Sequence, residues 1–164
     1  MKKIYVAASF AYEEYKKTSQ RKAEIEKIAN KLKAAFNNDV EIYLPHQLKI
    51  PNAWDISLEE WSMAVYNKDM SALREADLVV FISYGKENNS GSVWEIGWVC
   101  GHNEAVKNTI VDDWQIPIVM IKMTEDPESL MLFGSIQRII TEDEIETYNW
   151  EKLPVYKTKI AKLS

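Results

Sequence analysis

"DLVVFISY", residues 77–84, is the stretch that decides the fold. After the leading aspartate it is apolar almost throughout and rich in branched side chains. A half-solvated strand would alternate polar and apolar residues; a continuous run like this one reads as a strand covered on both faces. Three more runs share its character: "KIYVAA" (3–8), "VEIYLP" (40–45) and "IPIVMIK" (116–122), with a weaker fifth, "QRIIT" (137–141). Helical patterns lie between them. Ile25, Ile28, Ala29, Leu32, Ala35 and Phe36 recur on one face of a charged helix. Further helices are predicted over about 58–76, 92–106 and 127–133, and a last one starting near Thr141. Strand and helix alternate with short connections, which predicts a parallel sheet with right-handed crossovers. The expected fold class is α/β: a flavodoxin-like doubly wound five-stranded parallel sheet with helices on both faces. Residues 1–164 read as a single domain, with no internal repeat or linker. The longest loop, "HQLKIPNAWDIS" (46–57), follows a strand, where α/β sites are usually built. The tail "NWEKLPVYKTKIAKLS" carries no pattern.

Composition narrows the function. The chain has 164 residues, enough for one sizeable core, and a net charge of −5. An acidic chain without a Lys/Arg block is a poor partner for nucleic acid or an anionic membrane, and a small neutral ligand remains open. Cys100 is the only cysteine, so no intrachain disulfide forms, and a reducing, cytoplasmic setting is expected. With His46 and His102 as the only histidines, a structural zinc site is not expected. The start, "MKKIYVAASF", is basic and then briefly apolar, and reads as a first strand rather than a signal segment. No apolar run reaches the roughly 18 residues that span a bilayer. Six Trp and eight Tyr suit a flat-ligand pocket or a large interface.

Two carboxylates stand out. On the helix over 58–76, Trp61, Val65, Asp69, Ala72 and Ala76 share one face, which places Asp69 in the stripe expected to meet the sheet. A buried aspartate is unusual unless paired or functional, yet an Asp tilted at the stripe's edge is an equal reading. Glu95 sits in "NNSGSVWEIGWVCG" (88–101) among apolar neighbours. Ser92-x-x-Glu95 matches a capping box, as do Ser57–Glu60 and Thr141–Glu144. Glu60 and Glu144 lie in acid-rich turns, whereas Glu95 does not. Gly97 and Gly101 are expected to let its helix press close to the sheet. A carboxylate in that helix's first turn is expected to stay ionised and able to act as a nucleophile. Local pattern alone favours the cap. "TEDEIE" (141–146) reads as a solvated helix start. The loop "KENNSGS" (86–92) lacks phosphate-loop glycine spacing, but its backbone amides could hold a polar ligand. His102 reads as packing or surface.

Four blocks then occur in order: "KIYVAAS", "WSMAVYNKD" ending at Asp69, "SGSVWEIGW" around Glu95, and "SLMLFGSI" (129–136). Together they resemble the nucleoside 2-deoxyribosyltransferase family over roughly residues 3–140. The resemblance implies an enzyme that moves 2-deoxyribose between nucleobases, with 2′-deoxynucleosides and free bases as its small-molecule partners. It implies that Glu95 attacks C1′ and forms a covalent deoxyribosyl-enzyme. A second inversion then gives net retention. Asp69 would exchange a proton with the base, and Tyr5 would orient the glutamate. Asn89 stands where many relatives carry an aspartate that contacts base or sugar, beside Ser90. Ser129 stands where relatives have asparagine, and Met131 matches their methionine. Gln47 matches a base-contacting position after the second strand. In multimeric relatives the segment around Ser129 enters a neighbouring subunit's site, which implies a homo-oligomer with shared active sites. No metal or organic cofactor is implied. These residues are expected to gather at the C-terminal edge of the sheet, with Tyr5 at the end of its strand.

Two rivals accompany this reading. A nucleoside or nucleotide hydrolase on the same scaffold would use water as the acceptor. Monophosphate-cleaving relatives carry a Gly/Ser/Arg-rich loop after the first strand. Here "ASFAYEEYKKTSQRK" has no glycine and no arginine before Arg21, which predicts an unphosphorylated substrate. The other rival is a non-catalytic nucleoside-binding domain in which Glu95 serves only as a cap.

Overall fold

The computed structural model describes residues 1–10, 15–108 and 115–152. The five apolar runs form strands β1 (Lys2–Ala8), β2 (Val40–Tyr43), β3 (Leu78–Ser83), β4 (Ile118–Lys122) and β5 (Arg138–Thr141). All are parallel, in the order β2-β1-β3-β4-β5. This is the flavodoxin-like order, in which the winding reverses between β1 and β3. The helices are α1 (Tyr15–Ala35), α2 (Leu58–Arg74), α3 (Ser90–Asn108) and α4 (Leu130–Ser135). No helix among the described residues is long and apolar enough to cross a membrane.

Strand alternation divides the core in two. Ile4, Val6, Val80, Ile82, Val119 and Ile121 face α1, which buries Ile25, Ile28 and Leu32 against them. Tyr5, Ala7, Val79, Phe81, Ile118 and Met120 face the other way and meet α2, α3 and α4. Both faces of the central strands are covered, which is why they read as unbroken apolar runs.

Several expectations are corrected. On α2 the buried residues are Met70 and Leu73, whereas Asp69 and Ala72 are half-buried and Trp61 is exposed. The contact stripe is therefore rotated from the predicted one, and the first half of α2 lies clear of the core. Gly97 and Gly101 face open space instead of the sheet; Ile96 and Val99 make that contact. Near Thr141 the chain makes only a single 3-10 turn, Glu142–Glu144, although Thr141 and Glu144 do close a capping box around it. The helix stops because Ile145 and Trp150 are drawn into the α1-side core. Trp150 packs on Phe36 and donates its Nε1–H to the Ile145 carbonyl at 2.8 Å.

Candidate active site

The site is built by strand register. β1 and β2 each carry an Ile-Tyr pair, and the parallel ladder sets Ile4 beside Ile42 and Tyr5 beside Tyr43. The two tyrosine rings stack at 5.3 Å between centroids, 19° from parallel. Each hydroxyl reaches a carboxylate on the overlying helices. Tyr5 donates to Glu95 Oε1 at 2.8 Å, and Tyr43 donates to Asp69 Oδ1 at 2.7 Å. Tyr5 lies in the middle of β1, not at its end, so the carboxylates sit over the α2/α3 face of the sheet instead of at its rim.

Electrostatics follow from this burial. Desolvation pushes the Glu95 carboxyl up to about 7; the Tyr5 hydrogen bond opposes the rise and the charge of Asp69 adds to it. The expectation that Glu95 sits ionised in the first turn of its helix is thus corrected: it lies beyond that turn, and burial leaves it only partly ionised at neutral pH. Asp69 is also raised by burial, and the Tyr43 hydroxyl pulls it back down. Burial, then the charge of Glu95, pushes the Tyr5 phenol far above its usual range, so it stays a donor. Between the helices Tyr66 and Trp94 meet at 5.9 Å with both rings half exposed.

The start of α3 explains why Glu95 is available. The helix begins at Ser90, and the side chain that caps it belongs to Asn89, whose Oδ1 accepts from the Ser92 amide at 3.0 Å. Ser92 is therefore inside the helix, and Glu95 is too far along to close a capping box. A buried serine, Ser9, ties this start to the end of β1. Its Oγ accepts from the Asn89 amide at 2.6 Å and lies 3.0 Å from Ser92 Oγ. A second polar knot closes the end of β3. Ser83 Oγ accepts from Asn88 Nδ2 at 2.8 Å and donates to Glu128. It fixes the loops that lead to Asn89 and to Ser129.

The structure thus brings together Tyr5, Glu95 and Asp69, with Asn89 and Ser90 at the head of α3. It does not bring Gln47 to them: the Gln47 amide donates to Glu26 of α1 at 3.2 Å. Ser129, just before α4, and Met131 within it are exposed, Met131 with 83% of its surface open, beside Leu130 at 89%. Sequence reasoning missed Tyr43, Ser9, Ser83 and Glu128. Only Tyr43 left a signal, the repeated Ile-Tyr pair. Among the described residues no group of three or more His, Cys, Asp or Glu could hold a metal ion.

Comparison with known proteins gives this arrangement a family. No curated protein matches the sequence. Among solved structures the chain is similar to a 2-deoxyribosyltransferase from the psychrotolerant bacterium Bacillus psychrosaccharolyticus. The TM-score is 0.71 at 20% identity, over 93% of this chain and 96% of that one. It is also similar to a conserved protein from Enterococcus faecalis V583, with a TM-score of 0.64 at 16% identity, over 90% and 96% of the two chains. At such identities the likeness shows the fold. The sequence itself matches the model of the nucleoside 2-deoxyribosyltransferase family over residues 4–131, a span that includes Tyr5, Asp69, Glu95 and Met131. The chain is an enzyme of the nucleoside 2-deoxyribosyltransferase family.

Proposed function

We propose that this enzyme exchanges the nucleobase of 2′-deoxynucleosides through a covalent deoxyribosyl-Glu95 intermediate, with net retention. Glu95 attacks C1′ as the C1′–N bond breaks, and Asp69 passes its proton to the departing base. An incoming base then attacks C1′ from the opposite side, returns a proton to Asp69 and releases the glutamate. Two inversions restore the β-anomer. Tyr5 holds one Glu95 oxygen and so aims the other at the sugar. The observation that carries this reading is the Tyr5–Glu95 hydrogen bond. It spends a buried tyrosine on orienting a carboxylate that a cap would not need.

Two partly buried carboxylates in one site suit the chemistry. Attack needs an anion and base departure needs an acid, and two carboxylates held by separate tyrosines supply one of each. The cationic sugar that develops at C1′ favours the charge on Glu95. Asn89 and Ser90 contribute substrate contacts at the head of α3. Ser129 and Met131 do so across a subunit boundary, in a homo-oligomer with shared active sites. In support, α4 turns Leu130, Met131 and Phe133 away from its own sheet, leaving an apolar ridge suited to a second copy. Gln47 joins the substrate contacts only if its bond to Glu26 opens. The substrate carries no 5′-phosphate. Arg21, the first arginine of the chain, is stacked 3.4 Å over the Tyr84 ring and paired with Glu24 and Glu87.

Incubation of deoxyinosine with free cytosine tests the reaction. Deoxycytidine is expected; hypoxanthine without deoxycytidine would mean that water is the acceptor. Trapping with a 2-deoxy-2-fluoro-arabinosyl nucleoside, followed by peptide mass analysis, should place the adduct on Glu95. A label on any other residue rules out the assignment.

A further inference from the structure

We propose that Tyr43 is a positioning residue for Asp69: its hydroxyl fixes Oδ1 and leaves Oδ2 as the oxygen that exchanges a proton with the nucleobase. The inference rests on the transfer reading above and adds a residue to it. Its basis is geometric. Tyr43 closes β2 and is stacked on Tyr5, so its ring has little freedom. From that fixed ring the hydroxyl meets Asp69 Oδ1 at 2.7 Å, a length typical of a charge-assisted bond. The site therefore contains two parallel tyrosine–carboxylate pairs, one for the sugar and one for the base.

The pair also tunes the acid. Among the described residues, the titratable groups of β1, β2 and α3 that interact with Asp69 are Tyr5, Tyr43 and Glu95, two phenols and a carboxyl. No cation is among them, so burial alone would hold the proton on Asp69 tightly. Donation from Tyr43 stabilises the anion and makes the proton easier to give up. Tyr43 does not itself carry the proton, because burial and the bond to Asp69 hold its phenol above the ordinary range.

Tyr43→Phe keeps the stacked ring and removes only the donor. The first readout needs no substrate. With carbon-13-labelled aspartate, and Asp69→Asn to assign the signal, the Asp69 titration should move upward in Tyr43→Phe. An unmoved titration overturns the proposal whatever reaction the protein catalyses. The second readout compares leaving bases. With 2′-deoxyinosine, kcat should fall roughly tenfold, as expected for loss of one hydrogen bond to a charged group. With 7-methyl-2′-deoxyguanosine, whose cationic base departs without a proton, most of that loss should be rescued. Equal losses on both nucleosides would make Tyr43 a packing residue and overturn the proposal. If the unsubstituted protein cleaved neither nucleoside, the transfer reading would fall, and the Asp69 titration would still decide the bond's role.

Discussion

Ser57–Glu60 and Ser92–Glu95 have the same spacing and opposite fates. At the head of α2, Ser57 Oγ accepts from the Glu60 amide at 3.2 Å, and Glu60 returns its carboxylate to the Ser57 amide at 2.8 Å. That box is complete and solvated. At the head of α3 the cap is displaced to Asn89, so Glu95 is released from the helix end and turns inward to Tyr5. A spacing motif states what a residue can do; the actual first residue of the helix decides whether it does. A cap three positions earlier, at Asn89 instead of Ser92, separates a glutamate that closes a box from one that faces a tyrosine.

The largest effect should come from Glu95→Gln. The amide still accepts from Tyr5, but it cannot attack C1′. Steady-state transfer should fall by about 10³-fold or more. Stability should move the other way. Glu95 titrates near 7 when folded, against an ordinary value of 4.5. Between those values the unfolded chain loses its proton while the folded protein keeps it, so the native protein loses stability as pH rises. Urea denaturation should therefore show Glu95→Gln matching the parent below about pH 4.5 and exceeding it above pH 7. A glutamine that only weakened the fold would return Glu95 to the role Glu60 has.

Next in size is the pH dependence of kcat/KM. Attack needs the ionised glutamate, so the rate constant should drop with acidification through about pH 7, set by the free protein. Tyr5→Phe should lower transfer by roughly tenfold, the cost of one bond to a charged group. It should also move that acid limb upward, because the Tyr5 bond is what holds Glu95 down. An unmoved limb would mean that the bond forms without tuning the carboxylate. The smallest effects are at the caps. Asn89→Ala and Ser57→Ala should each cost about 1 kcal/mol in denaturation. Only the first should disturb kinetics, since only it caps the helix that carries Glu95.

The fold was legible because its strands are buried on both faces, so β1, β3 and β4 appear as unbroken apolar runs. The resemblance implied a Tyr5–Glu95 contact, and the structure has that bond; the partner of Asp69, Tyr43, was not legible. Tyr43 depended on the β1–β2 register, which no local pattern encodes. Asn89 and Ser92 are both good caps, and only the bond from the Ser92 amide distinguishes them. Gly97 and Gly101 were misplaced because glycine spacing marks a smooth helix face without saying which way it looks. Gln47 bonds Glu26 of α1, a partner that no sequence pattern indicated, because a polar side chain in a loop can turn to either side.

The two tyrosine–carboxylate pairs differ in how far the chain must travel to make them. Tyr43 and Asp69 are 26 residues apart, within one strand–loop–helix unit, whereas Tyr5 and Glu95 are 90 apart. Closing the longer loop costs more chain entropy and requires β1 and β3 to have met already. During refolding the Tyr43–Asp69 pair should assemble locally, and Glu95 should find Tyr5 only once the centre of the sheet has closed. Recovered activity is then a late marker of folding, arriving after the β2–α2 unit has already taken its native shape.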